Sequence, residues 1–392
     1  MDWSSLFARR TEKIQPSAIR EILKLTQGGE VISFAGGLPA PALFPIERIR
    51  EASDRVLAQQ GERALQYSTT EGYPPLRAWA AEQLPGTDAE RVQIVSGSQQ
   101  ALDLVAKALL DPGDRVVLAA PTYMGALRAF DPYQPEYLTV ASDEDGLLPD
   151  SLEAALKRSP KLVYVIPNFD NPRGTTMSLE RRRNLIESAD RYGVLIFEDD
   201  PYGQLRFEGE PLPSLFELAP DRVVYSSTLS KTVAPGLRIA WLVAAPELLE
   251  QLTRIKQAAD LHTSTLGQMV AHAVVEGDFL AEQLPRIRSY YHRQRDAMLA
   301  ALDTHLPSSV HSTRPEGGMF LWLTLPVGSD GLELLQSAAR RGVAYVPGAP
   351  FFADGSGLNT LRLSYSVASL ELIERGVATL GAVLTESLAV AS

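Results

Sequence analysis

The stretch Leu162-Val163-Tyr164-Val165-Ile166 leads, through a polar turn, into a helical pattern over 179–192 and then into Val194-Leu195-Ile196-Phe197. Both apolar runs are short, rich in β-branched residues and without polar alternation, so each reads as a strand buried on both faces. Strand, helix, strand at this spacing is the unit of a parallel sheet. The same unit recurs outward in both directions. Val92-Gln93-Ile94-Val95, Arg115-Val116-Val117-Leu118, Val223-Val224-Tyr225 and Arg238-Ile239-Ala240-Trp241-Leu242-Val243 read as further strands, with helical patterns over 99–110 and 247–259. The expectation is an α/β domain spanning roughly 46–286. Residues 287–392 differ in character: a long helix candidate over 287–302, the run Gly317-Gly318-Met319-Phe320-Leu321-Trp322-Leu323, another strand pair and a closing helix. These predict a smaller α+β unit, joined by the N-terminal arm, 1–45.

Composition narrows the function classes. The chain has 392 residues, 37 basic and 48 acidic, for a formal charge of −11. That balance disfavours nucleic acid, whose phosphates call for clustered Lys and Arg. With 45% hydrophobic residues a sizeable core is possible, and zero cysteines exclude disulfides, thiolate metal sites and thiol catalysis. The expectation is a soluble, cytoplasmic protein. The longest uncharged stretch, 31–46, is broken by Gly36, Gly37, Pro39, Pro41 and Pro45 and is shorter than the ~20 residues a membrane span needs. No stretch resembles a targeting signal.

Polar clusters follow the predicted strands. They are Ser96-Gly97-Ser98-Gln99, Pro121-Thr122-Tyr123, Pro167-Asn168-Phe169-Asp170-Asn171-Pro172-Arg173-Gly174, Glu198-Asp199-Asp200-Pro201-Tyr202 and Ser226-Ser227-Thr228-Leu229-Ser230-Lys231. In open parallel sheets ligands bind outside the carboxyl ends of the strands, so these clusters describe one composite site. Each also has a plainer reading. Gly97-Ser98 serves either as a helix cap or as an anion cradle, and Asn171-Pro172 as a turn former. Asp199 with Asp200 could bind Mg²⁺, although no third carboxylate sits at metal spacing, and no metal is expected. Lys231 is either solvated or an amine nucleophile; Arg238 is either a surface ion pair or a phosphate clamp. Taken together they ask for a ligand needing a phosphate cradle, a lysine, a carboxylate and a tyrosine at once. Pyridoxal 5′-phosphate is such a ligand.

The motifs Ser-Gly-Ser-Gln-Gln-Ala-Leu (96–102), Pro-Asn-Phe-Asp-Asn-Pro-Arg-Gly (167–174), Glu-Asp-Asp-Pro-Tyr (198–202), Ser-Thr-Leu-Ser-Lys (227–231), Gly236-Leu237-Arg238 and Leu361-Arg362-Leu363-Ser364 resemble the fold-type I, class I/II pyridoxal-phosphate aminotransferases. Within them the segments Gln15–Thr26, Ser33–Pro39, Gln66-Tyr67-Ser68 and Ala259-Asp260-Leu261-His262 are most similar to the bacterial 2-aminoadipate aminotransferases of lysine biosynthesis and to kynurenine/aminoadipate aminotransferases. The resemblance implies a large domain with a mainly parallel seven-stranded sheet flanked by helices, plus the small domain. It implies that Lys231 carries the cofactor and shuttles a proton, that Asp199 keeps the pyridine nitrogen protonated, and that Tyr202 and Asn171 bind the ring 3′-oxygen under a stacked Tyr123. Ser98, Gln99, Thr228, Ser230 and Arg238 are implied at the phosphate, and Tyr67 at the phosphate of a neighbouring subunit, hence a homodimer with shared sites. Arg362, helped by Asn171, is implied at the substrate α-carboxylate, with Gly37 beside it.

Residues 17–25 read as a short amphipathic helix. The resemblance makes it close over substrate and brings Arg20 to a side-chain carboxylate of glutamate or 2-aminoadipate. The plainer reading pairs Arg20 with Glu21 or Glu12. Two residues depart from the family pattern: Arg173 replaces a usual Thr, and Thr228-Leu229-Ser230 replaces Ser-Phe-Ser with its hydroxyls kept. The implied reaction moves an amino group between glutamate/2-oxoglutarate and 2-aminoadipate/2-oxoadipate, with leucine and aromatic amino acids also accepted. The alternatives are an aminotransferase restricted to aromatic or branched-chain substrates, a lyase on the same cofactor, or a ligand-sensing regulator of the same fold.

Overall fold

The computed structural model describes residues 3–11 and 31–391. Strands in chain order are β1 (Ile32–Ser33), β2 (Val92–Val95), β3 (Arg115–Ala120), β4 (Glu136–Asp143), β5 (Gly146–Leu147), β6 (Leu162–Val165) and β7 (Leu195–Asp199). There follow β8 (Val223–Thr228), β9 (Ala240–Val243), β10 (His311–Ser312), β11 (Phe320–Thr324), β12 (Val343–Ala344), β13 (Val346–Pro347) and β14 (Thr360–Ser364). The large sheet has the order β2-β9-β8-β7-β6-β3-β4-β5. The pairs β4–β3, β3–β6, β6–β7 and β7–β8 are parallel, while β9 runs antiparallel between β8 and β2. The expected seven-stranded sheet is thus present, and the two-residue β5, turning back on β4, makes it eight-stranded. A two-residue arm leaves no apolar run to read.

Successive side chains on a strand point to opposite faces, and both faces are filled. Val117, Val163 and Ile196 enter one core layer, while Val116, Leu118, Leu162, Tyr164 and Phe197 enter the other. Helices cover both layers. Ser98–Leu109 and Pro246–Asp260 lie over the second, and Leu179–Tyr192 over the first. The last of these is capped by Ser178 and ended by Gly193 at φ +69°, a conformation glycine adopts without strain.

A second sheet, ordered β10-β11-β14-β13, is antiparallel throughout. The arm joins this region through the parallel pair β1–β12, and Phe34 and Ala35 enter its core. The helix Phe279–His305 starts upstream of the expected 287, with Pro285 inside it. A proline normally interrupts such a pattern. Here Leu280 packs in the large-sheet core and Ile287 in the other, and this packing carries the helix past the ring. Among the described residues no helix is long and apolar enough to cross a membrane.

Candidate active site

The carboxyl ends of β2, β6, β7 and β8 lie on one edge of the large sheet, and there Ser98, Gln99, Tyr123, Asp199, Tyr202, Thr228, Ser230, Lys231 and Arg238 line one pocket. Arg238 arrives by a different rule from the rest. It precedes β9, whose first residue Ala240 pairs with the last residue of β8, Thr228. Because β9 is antiparallel, its amino end stands where the other strands end.

The phosphate corner is built from backbone geometry and hydroxyls. Gly97 sits at φ +91°, and a Cβ there would run into the Arg238 guanidinium, so glycine is required on both counts. Ser98 opens the helix Ser98–Leu109, whose free amides favour an anion. Its Oγ is buried without a hydrogen-bond partner among the described residues. Thr228 Oγ1 lies 2.9 Å from Ser230 Oγ and accepts from the Ser230 amide at 3.1 Å. Gln99 turns its amide away and donates to the Gly125 carbonyl at 2.9 Å, bracing the segment that carries Tyr123.

Strand alternation sorts the acidic trio at the end of β7. Asp199 faces the same layer as Phe197 and accepts at Oδ2 from the Tyr164 hydroxyl at 3.0 Å. Glu198 and Asp200 face the opposite layer. Glu198 accepts from the Leu215 and Phe216 amides, and Asp200 from Asn168, the Gly203 amide and Tyr225. Asp199 and Asp200 therefore do not form one oxygen-ligand set. Burial is the main cause of their shifts: the Asp199 carboxyl is pushed up to about 7 and Glu198 to about 8. Asp199 Oδ1 is buried with no hydrogen-bond partner among the described residues.

Lys231 donates to the Gly37 carbonyl at 3.1 Å, and its Nζ lies 5.9 Å from the centre of the Tyr202 ring. Burial, then the positive charges of Arg362 and Arg238, bring its amine down to about 8 against the pull of Asp199. A Cβ on Gly37 would press on Phe320 at 3.1 Å, which keeps that carbonyl close.

Arg362 comes from β14 in the second sheet and is 1% exposed. Its Nη1 donates to Asn171 Oδ1 at 2.8 Å and its Nη2 to the Ala35 carbonyl at 2.7 Å, while Nε is buried with no hydrogen-bond partner among the described residues. Phe320 and Phe351 flank the guanidinium at 4.3 and 5.2 Å. Among the described residues no carboxylate pairs with it, and burial lowers its pKa to about 10. The loop that presents Asn171 is tied down by the wholly buried Arg182, which donates to the Met177, Pro167 and Pro213 carbonyls and to Asn168. Arg173 donates to the Asp143 carbonyl and lies 3.5 Å from Asp170, so it is absorbed by its own loop and its neighbour.

Two expected residues stand apart. Tyr67 is 77% exposed, edge-on to His262 at 5.8 Å and outside the pocket. Arg20 and the expected helix over 17–25 lie outside the described residues. Nothing in the local sequence marks Tyr164, Phe320 and Phe351 as site residues. Tyr164 reaches Asp199 only through the β6–β7 register, which has no local signature.

The residues present fit pyridoxal phosphate. An orphaned carboxylate oxygen on Asp199 suits a protonated ring nitrogen, an orphaned Ser98 hydroxyl beside a helix start suits a phosphate, and a partly neutral Lys231 suits an aldehyde.

Comparison with known proteins agrees. Residues 30–380 match the family model for aminotransferase class I and II, and the chain belongs to that family. It is a pyridoxal-phosphate-dependent transaminase. Over 394 residues it is 49% identical to the 2-aminoadipate transaminase of Thermus thermophilus, covering 99% of each chain. It is 42% identical over 401 residues to aromatic-amino-acid aminotransferase 1 of Thermococcus litoralis, covering 99% of this chain and 96% of that one. The crystal structure of LysN, the alpha-aminoadipate aminotransferase of Thermus thermophilus complexed with N-(5′-phosphopyridoxyl)-L-leucine, superposes with a TM-score of 0.95 at 48% identity, covering 100% of both chains.

Proposed function

We propose that the chain is a 2-aminoadipate transaminase, exchanging the amino group between glutamate and 2-oxoadipate and accepting leucine and aromatic amino acids as well. In this reading it serves lysine biosynthesis as a cytoplasmic homodimer with shared sites, Tyr67 reaching the phosphate of the partner subunit. Residues 46–286 form its cofactor domain, 287–392 its small domain, and 1–45 the arm. The observation that carries the amino-acid half is Arg362, a buried cation with hydrogen bonds but no carboxylate among the described residues. Such a group is costly until an anion reaches it, and its planar fork matches an α-carboxylate. The dicarboxylic preference leans on the Thermus relative and on Arg20.

Pyridoxal phosphate, when bound, supplies an aldehyde that takes up the amino group and a ring that accepts the electron pair released at Cα. Asp199 Oδ1 would hold the proton on the ring nitrogen, and that positive partner would keep the carboxyl ionised against its burial. Lys231 Nζ would take up and return the substrate Cα proton, and a pKa of about 8 leaves a useful fraction neutral near pH 7. Tyr202 and Asn171 would hold the ring oxygen, and Tyr123 would pack on the ring. Ser98, the Gln99 backbone amide, Thr228, Ser230 and Arg238 would hold the phosphate. Arg362 and Asn171 orient the α-carboxylate beside Gly37.

Steady-state turnover of glutamate with 2-oxoadipate, 4-methyl-2-oxopentanoate and phenylpyruvate tests the substrate assignment. The expected order of kcat/KM places 2-oxoadipate first. Apolar acceptors about tenfold better would leave a transaminase of another specificity. Arg20→Ala is expected to raise KM for glutamate and 2-aminoadipate by about tenfold, the loss of one charged contact, and for leucine by much less. Equal effects on all three return Arg20 to a solvated position.

A further inference from the structure

The turn 96–100, which delivers Gly97 and Ser98 to the phosphate corner, is held from behind by residues with no role in the chemistry above. Lys256, on the helix Pro246–Asp260, has a wholly buried side chain whose Nζ lies 2.6 Å from Asp260 Oδ1. The second oxygen of Asp260 accepts from Gln100 Nε2 at 2.7 Å and from Ser96 Oγ at 3.2 Å. Gln100 Oε1 in turn accepts from the Ser96 amide at 2.7 Å. The Ser96 carbonyl accepts from Arg238 Nη2 at 3.2 Å, and its hydroxyl lies 3.1 Å from Thr263 Oγ1. One unbroken chain of hydrogen bonds therefore runs from Lys256 to the arginine of the phosphate corner.

A buried ammonium is expensive unless paired, and breaking such a pair leaves the other charge uncompensated. Burial lowers the Lys256 pKa while Asp260 opposes it, and Lys256, Gln100 and Ser96 hold the Asp260 carboxyl below its usual range despite burial. The charge balance also matters for an anion site. Asp260 alone would set a negative charge behind a loop that must accept a phosphate, and Lys256 cancels it.

We propose that Lys256 and Asp260 are a positioning pair for the cofactor phosphate, fixing the 96–100 turn and through Ser96 the Arg238 guanidinium. This rests on reading Ser98 and Arg238 as phosphate ligands.

The test is titration of cofactor-stripped full-length protein with pyridoxal phosphate and with pyridoxal, which lacks the phosphate, followed by visible absorbance. Wild type, Lys256→Met, Asp260→Ala, the double variant and Arg238→Ala are compared. Lys256→Met and Asp260→Ala are each expected to weaken pyridoxal phosphate by about 10–100-fold, the range for a charged hydrogen bond, and pyridoxal by no more than about threefold. The double variant is expected to be no worse than the poorer single one, because both act on one path. Equal weakening of both ligands, or unchanged pyridoxal phosphate affinity while Arg238→Ala loses it selectively, overturns the pair's role and leaves the phosphate corner standing. An Arg238→Ala variant that does not discriminate the two ligands overturns the phosphate reading and this inference with it. Lys256→Met removes the buried charge and leaves only the partly exposed Asp260, so it reports even where Asp260→Ala, which strands a buried ammonium, fails to fold.

Discussion

Asp199 and Lys231 stand at strand ends of the eight-stranded sheet, whereas Arg362 stands in the middle of β14 in the four-stranded sheet. The first two belong to strand–turn units; Asp199 meets Tyr164 on β6 of the same sheet, while Lys231 reaches across to the Gly37 carbonyl of the arm. Arg362 is held by two elements remote in sequence, the Asn171 loop and the arm at Ala35, between two aromatic rings. Asp199 is pushed toward its neutral acid and Lys231 toward its neutral amine, and each has a titration poised within reach of pH 7. Burial lowers Arg362 as well, yet at about 10 it stays charged at any working pH. One sheet thus supplies groups whose protonation answers to what is bound beside them, and the other a fixed charge that only binds.

Lys231→Ala attacks the first half and should have the largest effect. Turnover is expected to fall more than about 10⁴-fold, since proton transfer alone is worth about 10²–10⁴ and the attachment point is lost as well. Residual activity near wild type would mean the sheet edge is not the reacting half. Asp199→Ala should cost about 10²–10³ in kcat, the range for removing one preorganised electrostatic group. Circular dichroism should stay native, and a rate within a few-fold of wild type would remove Asp199 from the ring nitrogen.

Arg362→Lys attacks the binding half. KM is expected to rise about 10–100-fold for every amino-acid substrate, because the bidentate fork and its aromatic packing are lost together. A fall in kcat with KM unchanged would give this arginine a part in the chemistry and erase the contrast.

The mildest effect concerns the cofactor-free chain. The folded Asp199 carboxyl loses its proton near pH 7, while the unfolded one does so near its ordinary 3.8. Its contribution to stability is therefore full below about pH 4 and is lost as pH rises through 7. Asn at 199 carries no such loss. Asp199→Asn is thus expected to melt about 2–4 °C higher than wild type at pH 8 without cofactor, with the gap closing by pH 4. An unchanged melting difference across that range would show that burial does not govern this carboxyl.

The sheet-edge half was largely legible because its strands are buried on both faces and each polar cluster follows its own strand. The run Val92–Val95 and the helix Leu179–Tyr192 match their expected limits for that reason. Arg238 was found by motif, but its place came from the antiparallel direction of β9, which no local pattern encodes. Tyr164, Phe320 and Phe351 depend on register and on contacts between sheets, so their sequence neighbourhoods look like ordinary core. Lys256 reads as a solvated helix lysine until its side chain is seen wholly buried.

In the proposed function Lys231 and Asp199 run transamination of an acidic amino acid on bound pyridoxal phosphate. The most direct measurement is the absorption spectrum of the protein with pyridoxal phosphate, before and after glutamate or 2-aminoadipate is added. A protein-bound visible band is expected in wild type, absent in Lys231→Ala, that both amino acids convert to the shorter-wavelength absorption of pyridoxamine phosphate. A band that survives Lys231→Ala, or that neither amino acid converts, would contradict it.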